Sequence, residues 1–275
     1  MLSVGSVSTG TTLHHVDRYE RLSTLLDLLG QRGKVDVDDL AGELSVSAAT
    51  IRRDLDHLAD QQLLTRTRGG AVANNVAYDL PLRYKTARHA SEKERIGRGA
   101  AALVARGSVV GLNGGTTTTE VARALAVLPE RGGADEPGIT VVTNALNIAS
   151  ELAVRPHVKI VVTGGVARPA SFELSGPLAT RILDEITMDL VFLGVDAVDP
   201  AHGAYAHHEG EASINRLMAE RARRIVVIAD SSKLGGHAFA RICAVSEIDT
   251  LITDDAAPAE VLAAFEAEGV TVQLV

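Results

Sequence analysis

The chain has 275 residues, enough for two domains of ordinary size, and a formal net charge of −8 from 27 Lys+Arg against 35 Asp+Glu. One cysteine, Cys243, excludes an intrachain disulfide, no paired Cys/His spacing points to a metal, and nothing reads as a signal peptide or a membrane span. The expectation is a cytoplasmic protein without metal or other cofactor, in which any nucleic-acid function rests on local rather than global charge.

In chain order, residues 1–13 are small and polar and are expected to form a disordered tail. Leu22, Leu25, Leu26 and Leu29 recur at helical spacing and predict a first helix ending at Gly33. Val37, Leu40, Ala41 and Leu44 form the buried side of a shorter helix, and Ser45-Val46 makes a tight turn. Ser47 then caps a third helix, whose Ile51, Leu55 and Leu58 define one buried stripe. Ala49, Thr50, Arg52, Arg53, Asp56 and His57 face the other way. Small residues and hydroxyls at the start of that face admit a helix to the major groove, where two arginines serve guanine edges or phosphates. Leu63 to Ala71 reads as a small β-wing in which Arg66 and Arg68 alternate with threonines, share a face and meet phosphate. A lone amphipathic helix with two surface arginines is more often a solvated face. The order of parts makes it a winged helix-turn-helix over residues 14–72, with the motif at 35–54 and double-stranded operator DNA as partner.

These residues closely resemble the amino-terminal signature of the DeoR family of bacterial transcriptional regulators. The match runs from Arg18 through Leu40-Ala41-Gly42-Glu43-Leu44, Val46-Ser47 and Thr50-Ile51-Arg52-Arg53-Asp54-Leu55 to Arg66 and Gly69-Gly70-Ala71. Gln62 stands where the family usually has glycine, and Arg68 where histidine is common.

Residues 73–90 read as a linker that docks through Tyr78 and Leu80. From residue 91 to 275 the pattern changes: a helix carrying Ile96, Ala100, Leu103 and Val104 leads into apolar runs separated by helical stretches. The strand candidates are Val109–Leu112, Ile139–Val142, Lys159–Val162, Leu190–Leu193, Ile225–Ala229, Thr250–Ile252 and Val270–Leu274, the last an edge strand of either direction. Continuous apolar strands alternating with helices predict an α/β domain with a mainly parallel sheet covered on both faces.

Polar groups follow five of these strands: Asn113 to Thr119, Thr143-Asn144, Thr163-Gly164-Gly165, Gly194-Val195-Asp196 and Asp230 to Lys233. In a parallel sheet such carboxyl ends lie along one edge, where ligands bind. Glycines let backbone approach closely, and free N–H groups with threonines at a helix start cradle an anion. Lys233 adds positive charge, so a phosphorylated small polar ligand fits. Taken singly, Gly164-Gly165 reads as a tight turn, Asp230 as a helix cap, Cys243 as buried filler, and the His202, His207, His208 cluster as a solvated loop rather than a metal site.

The region from about 91 to 255 is similar to the DeoR sensor domain, related in fold to ribose-5-phosphate isomerase and glucosamine-6-phosphate deaminase. The matching segments are Gly114 to Thr118, Val142-Thr143-Asn144, Thr163-Gly164-Gly165, Phe192 to Asp196 and Asp230 to Lys233. The resemblance implies a sugar-phosphate effector, with Thr116, Thr117 and Thr118 on the phosphate, Lys233 near it, and Asn144, Gly165, Asp196 and Glu211 facing the polyol. Asn113, Gly115, Thr143 and Gly164 complete the candidate set from the strand ends. Asn215 stands where many relatives have lysine.

The rival reading is a sugar-phosphate isomerase or deaminase fused to a DNA domain, with Asp196, Glu211 and Lys233 as acid/base groups. Against it, the lysine- and glycine-rich stretch that isomerases place before their catalytic glutamate is missing; His207 to Ala212 stands there instead. No dinucleotide or P-loop fingerprint is present. The expectation is therefore a non-enzymatic regulator, by family analogy a repressor, acting as a homo-oligomer (dimer or tetramer).

Overall fold

The computed structural model describes residues 18–61, 63–73, 81–86, 88–127 and 138–275. The expected tail, Gln62, and the docking of Tyr78 and Leu80 lie outside the described residues. The chain forms two compact units, 1–77 and 78–275.

In the first unit, α1 (Arg18–Arg32), α2 (Val37–Glu43) and α3 (Ala48–Asp60) pack with a sheet of β1 (Lys34–Asp36), β2 (Leu64–Arg66) and β3 (Gly70–Ala73) in the order β1-β3-β2. The predicted leucine stripe of α1 is buried, as are Val37, Leu40, Ile51, Leu55 and Leu58. The α1 helix ends where Gly33 adopts φ 71° and its N–H donates to the Leu29 carbonyl at 2.8 Å. Strand β1, which sequence periodicity does not reveal, takes the wing as a third strand. It crosses Gly70 so closely that a Cβ there would sit 1.8 Å from the Val35 carbonyl oxygen.

One buried residue of α3 is not apolar. Asp54, 3% exposed, accepts from the Arg21 Nε of α1 at 2.7 Å, with the Arg18 Nε 3.8 Å away. Its position, between Ile51 and Leu55, places it on the buried stripe, so the ion pair pins the third helix to the first.

The second unit adds α4 (Leu82–Lys85), α5 (Ala90–Ala101), β4 (Val109–Leu112), α6 (Thr116–Ala126), β5 (Ile139–Thr143), α7 (Leu146–Leu152) and β6 (Val158–Val162). Next come the small antiparallel pair β7 (Val166–Ala167) and β8 (Leu174–Ser175), then α8 (Pro177–Asp184) and β9 (Leu190–Gly194). They are followed by β10 (Ala197–Asp199), β11 (Gly203–Ala206), α9 (Glu209–Glu220), β12 (Ile225–Ile228), β13 (Ala240–Cys243), β14 (Thr250–Thr253), α10 (Ala259–Ala267) and β15 (Thr271–Leu274). The seven predicted strands form one parallel sheet in the order β15-β14-β12-β9-β4-β5-β6, and β15 is its parallel edge.

Alternate residues of each strand feed opposite faces. Val110, Leu112, Leu190, Phe192, Val226 and Ile228 pack with Ile96, Val121, Leu125 and Ile148 of α5, α6 and α7. Val191, Leu193, Val227 and Leu251 pack with Leu183, Met218 and Phe265 of α8, α9 and α10. A separate antiparallel sheet, β10-β11-β13, buries Cys243, whose thiol is pushed up to about 12 by burial. The stretch expected as linker through residue 90 is partly built into this unit. The Leu82 N–H donates to the Ala170 carbonyl at 2.7 Å, and Tyr84 is 1% exposed.

Replacing Asp54 with alanine leaves the buried Arg21 guanidinium without this carboxylate. The expected loss is ~3–5 kcal/mol in a urea melt, against a change within about 0.5 kcal/mol for the surface variant Arg53→Ala. A loss no larger for Asp54→Ala than for Arg53→Ala would show that the pair does not hold the helices together.

Candidate functional site

The amino-terminal unit presents α3 as an exposed helix. Ser47 caps it: its hydroxyl accepts from the Thr50 N–H at 3.2 Å and lies 2.9 Å from the Thr50 hydroxyl. Before it, Ser45 takes a left-handed φ of 53°, and the Val46 N–H reaches back to the Ala41 carbonyl, which makes the turn tight. Ser47, Ala49, Arg52 and Arg53 are exposed and Thr50 is half-buried, so the predicted face is brought together.

The wing differs from expectation. Strand β2 stops at Arg66, so Arg66 and Arg68 do not share a strand face, and Arg68 stands exposed in the turn before β3. The Arg66 Nε donates to Asp56 of α3 at 2.7 Å and its Nη1 donates to the Gly70 carbonyl. Arg66 therefore pairs with Asp56 on the exposed face of α3 and braces the wing against it, and a phosphate contact would compete with that pair.

The carboxy-terminal unit has its crevice at the carboxyl edge of the sheet. The chain builds β4, β5 and β6 outward in one direction, then returns to place β9, β12, β14 and β15 on the other side of β4. Between β4 and β9 the two connections diverge, which is where open α/β sheets bind ligands. Asn113, at the end of β4, locks the two strand ends: its Nδ2 donates to the Gly194 carbonyl at 2.9 Å and its Oδ1 accepts the Gly194 N–H at 2.8 Å.

Of the predicted residues, Asn113, Gly115, Thr116, Thr117, Asp196, Glu211 and Lys233 line this pocket. The others support it from behind. The Thr118 hydroxyl turns back to the Gly115 carbonyl at 3.1 Å, and the Thr143 hydroxyl accepts from the Ala145 N–H at 3.0 Å. Gly164 and Gly165 make the turn after β6, with φ 71° and 120°. Asn144 is fully buried beneath the pocket and donates to Glu173 at 2.9 Å. Thr143, Asn144, Gly164 and Gly165 lie at the ends of β5 and β6, on the far side of Glu173 from the cavity. A Cβ on Gly114 would sit 2.2 Å from the Glu173 Cγ.

Several lining residues are invisible to sequence reasoning. Lys85 comes from α4 and stands 3.6 Å from Asp196. Ser171 and Glu173 come from the segment between β7 and β8, while Asn215, noted in the sequence where relatives carry lysine, lines the pocket from α9. No local pattern in the sequence marks Glu173. Asp230 lines the pocket and also accepts the Ser232 N–H at 3.2 Å, as a cap should.

The electrostatics are divided. Burial lowers the Lys233 amine, while Asp196 and Asp230 act to raise it. Lys93, buried behind it with its Nζ donating to the Lys85 and Arg88 carbonyls, is lowered to about 8, chiefly by burial. Burial alone would raise the Asp196 carboxyl, but Lys85, His207 with its backbone N–H, and Lys233 outweigh it and hold the carboxyl below its ordinary value. Glu173 behaves oppositely: burial, then the neighbouring Glu211 carboxylate, pushes it up to about 8 despite the amides of Asn144 and Asn215. Glu211 is held by the Arg168 Nη1 at 3.0 Å and by the Ser171 hydroxyl at 2.5 Å. Cations and the amino-terminal amides of α6 thus offer an anion site, and amides with a neutral and a charged carboxyl offer hydrogen bonds to hydroxyls.

Two family models match the chain: a DeoR-like helix-turn-helix domain over residues 21–77 and a DeoR C terminal sensor domain over residues 88–255. A Haloferax volcanii protein named HTH-type transcriptional regulator GlpR is 36% identical over 92% of this chain and 96% of its own length. The glycerol-3-phosphate regulon repressor of Escherichia coli K12 is 30% identical over 88% of this chain and 93% of its own. The HTH-type transcriptional repressor GlcR of Bacillus subtilis is 33% identical over 86% and 88%. Among solved structures, the sorbitol operon regulator SorC of Klebsiella pneumoniae aligns over 90% of this chain and 99% of that one, at 14% identity and a TM-score of 0.39.

Glu173 makes the stability of the unit depend on pH. Its folded value, about 8, lies above the ordinary 4.5, so the native state holds a proton that the unfolded chain releases. The stabilisation is complete below about 4.5 and is lost as pH rises through about 8. Glu173→Gln keeps the neutral shape and removes the proton. Its melting temperature relative to wild type is therefore expected to climb steadily from pH 5 to pH 8.5. Parallel curves over that range would show that Glu173 is ionised at neutral pH.

Proposed function

This chain belongs to the DeoR family of DNA-binding transcriptional regulators, and from that premise we propose that it is a repressor released from its operator by a phosphorylated sugar or polyol. The observation that carries the effector half is the crevice between β4 and β9, where Lys85, Lys233 and the start of α6 meet Glu173, Glu211 and Asn215. An anion with hydroxyls attached engages both sets of groups; an uncharged sugar brings no charge to the cations, and inorganic phosphate brings no hydroxyl-bearing chain to the carboxyls and amides. One relative is named for a glycerol-3-phosphate regulon, a phosphorylated polyol.

In this reading Thr116 and Thr117 receive the phosphate through backbone N–H groups and hydroxyls, Lys233 neutralises part of its charge, and Glu211 with Glu173 accepts from or donates to hydroxyls. On the DNA side Ser47, Ala49 and Thr50 admit the helix to the major groove, Arg52 and Arg53 read bases or phosphates, and Arg68 reaches a phosphate from the wing. A homo-oligomer in the cytoplasm would set two such helices on half-sites about 34 Å apart. Among the described residues no helix is long and apolar enough to cross a membrane.

Binding without turnover is favoured over isomerisation because Asp196 and Glu211, the carboxylates an isomerase reading would use, already have partners within the protein. Glu211 answers Arg168 and Ser171, and Asp196 answers Lys85 and the His207 N–H at 2.9 Å. The sequence relatives described above are named as regulators and repressors.

Two experiments test the two halves. Arg52→Ala and Arg53→Ala should each weaken operator binding by ~1–3 kcal/mol if they read bases, with no change in melting temperature. Unchanged affinity in the double variant would sink the assignment of the recognition helix. Separately, Lys233→Ala should leave operator affinity intact and raise the concentration of phosphorylated effector needed for release about tenfold or more, since a charge-assisted contact contributes ~1.5–3 kcal/mol. Release by phosphorylated sugars at the wild-type concentration would remove Lys233 from the site.

A further inference from the structure

We propose that Asp199, His202 and His237 form a binding site for one divalent transition-metal ion of the zinc class, beside the ligand pocket but separate from it. The sequence groups His202 with His207 and His208. The fold separates them: the His207 backbone N–H serves Asp196, and the His208 Nδ1 accepts from the Gly210 N–H at the start of α9. In their place it brings His237, thirty-five residues away along the chain, onto His202.

Three ligand atoms converge. The His202 Nδ1 lies 2.7 Å from the Asp199 Oδ1, the His237 Nε2 lies 3.2 Å from the His202 Nδ1, and the His237 Nε2 lies 3.9 Å from the Asp199 Oδ1. Nitrogen and oxygen ligands about 2.0–2.1 Å from a tetrahedral zinc ion stand about 3.3 Å apart, so the three separations bracket the required value. Such a packing is poorly served by protons alone. Two imidazole nitrogens and a carboxylate oxygen converge on one point, and a single proton between them bridges only two of the three. A divalent cation satisfies all three and leaves a fourth position for water. Two imidazoles with one carboxylate favour zinc, nickel or cobalt over magnesium or calcium, which prefer all-oxygen sites.

The backbone fixes the ligands independently of any ion. Asp199 ends β10, its side chain is 14% exposed, and its Oδ1 accepts the Ala201 N–H at 3.0 Å in the turn that leads to His202. The loop carrying His237 is tied to the same strand by the Gly235 N–H, which donates to the Val198 carbonyl at 2.8 Å. The His237 ring also lies 5.3 Å from the ring of Tyr205 on β11. The same two segments carry Asp196, three residues before Asp199, and Lys233, four before His237. An ion there would clamp together two of the segments that line the pocket.

The test uses tag-free full-length protein at neutral pH and isothermal titration with zinc chloride, with magnesium chloride as comparison. His14 and His15 are a second adjacent pair, so a His14→Ala, His15→Ala variant is titrated as well. The expected result is one zinc ion per chain in that variant, no binding of magnesium, and affinity at least tenfold weaker after His202→Ala or His237→Ala. Cobalt titrated into the same protein should give visible d–d bands of a four-coordinate ion, lost in both variants. The proposal is overturned if wild type takes up no zinc, if uptake vanishes with His14 and His15, or if it survives loss of His202 and His237.

Discussion

A parallel sheet that reverses its direction of growth cannot cover its own carboxyl edge at the point of reversal, and in this protein that point lies between β4 and β9. The helix after β4 leaves on one side and the chain after β9 on the other, so the last amides of both strands face a crevice. Asn113 closes the gap by bonding Gly194 in both directions, which holds the two ends in register while leaving the space above them open. Everything that gives the carboxy-terminal unit its chemistry is placed relative to that crevice. The start of α6 comes from one strand, Asp196 from the next and Lys233 from β12, while α4, the β7–β8 segment and α9 close over the top.

The crevice holds opposed charges without letting them cancel. Asp196 and Asp230 both act to raise the Lys233 amine, yet burial lowers it all the same. Cations held in a buried site are preorganised for an anion that arrives with its own charge. On the carboxyl side the same burial acts in the other sense, and Glu173 is kept neutral beside an ionised Glu211 that Arg168 supports. One neutral carboxyl and one charged carboxylate give a donor and several acceptors, a set matched to neighbouring hydroxyls on a sugar or polyol. Two ionised carboxylates would offer acceptors only, and their repulsion would open the site.

The parts of this fold that are legible in the sequence are those long enough for burial to leave a periodic or continuous apolar pattern. The inner strands β14, β12, β9, β4 and β5 read as apolar runs because they are buried between helices above and below, the partly exposed edge strands β6 and β15 read as runs broken by Lys159 and Gln273, and the α1 leucines read as a stripe because one face of that helix is buried. Of the small sheets only the wing, β2 with β3, is legible. Strand β1 has the burial pattern exposed-buried-exposed over three residues, and β7 has two exposed residues, too few for a period to declare itself. The site divides similarly. Residues that follow strands, such as Thr116, Asp196 and Lys233, can be placed because topology alone puts them at the edge. Lys85, Ser171 and Glu173 arrive from segments whose position depends on tertiary packing. Thr143, Gly164 and Gly165 have the right composition in the right register but sit at the outer strands, where they shape turns instead of meeting the cavity.

Asp54 and Arg66 show why residue type alone misleads in the amino-terminal unit. Within the run Arg52-Arg53-Asp54 every side chain is charged, yet the helix wheel separates them by burial: two arginines face solvent and the aspartate lies with Ile51, Leu55 and Leu58. The helical spacing of Asp54 within that stripe was the available signal, and it indicates a buried acid that needs a cation from another helix, which Arg21 supplies. Arg66 is the converse case, a basic residue in a segment expected to meet DNA whose Nε and Nη1 are used within the unit. Its ion pair removes the negative charge of Asp56 from the face that approaches phosphates. A protein with an overall charge of −8 can present Arg52 and Arg53 to DNA because Asp54 beside them is turned inward and Asp56 is paired with Arg66.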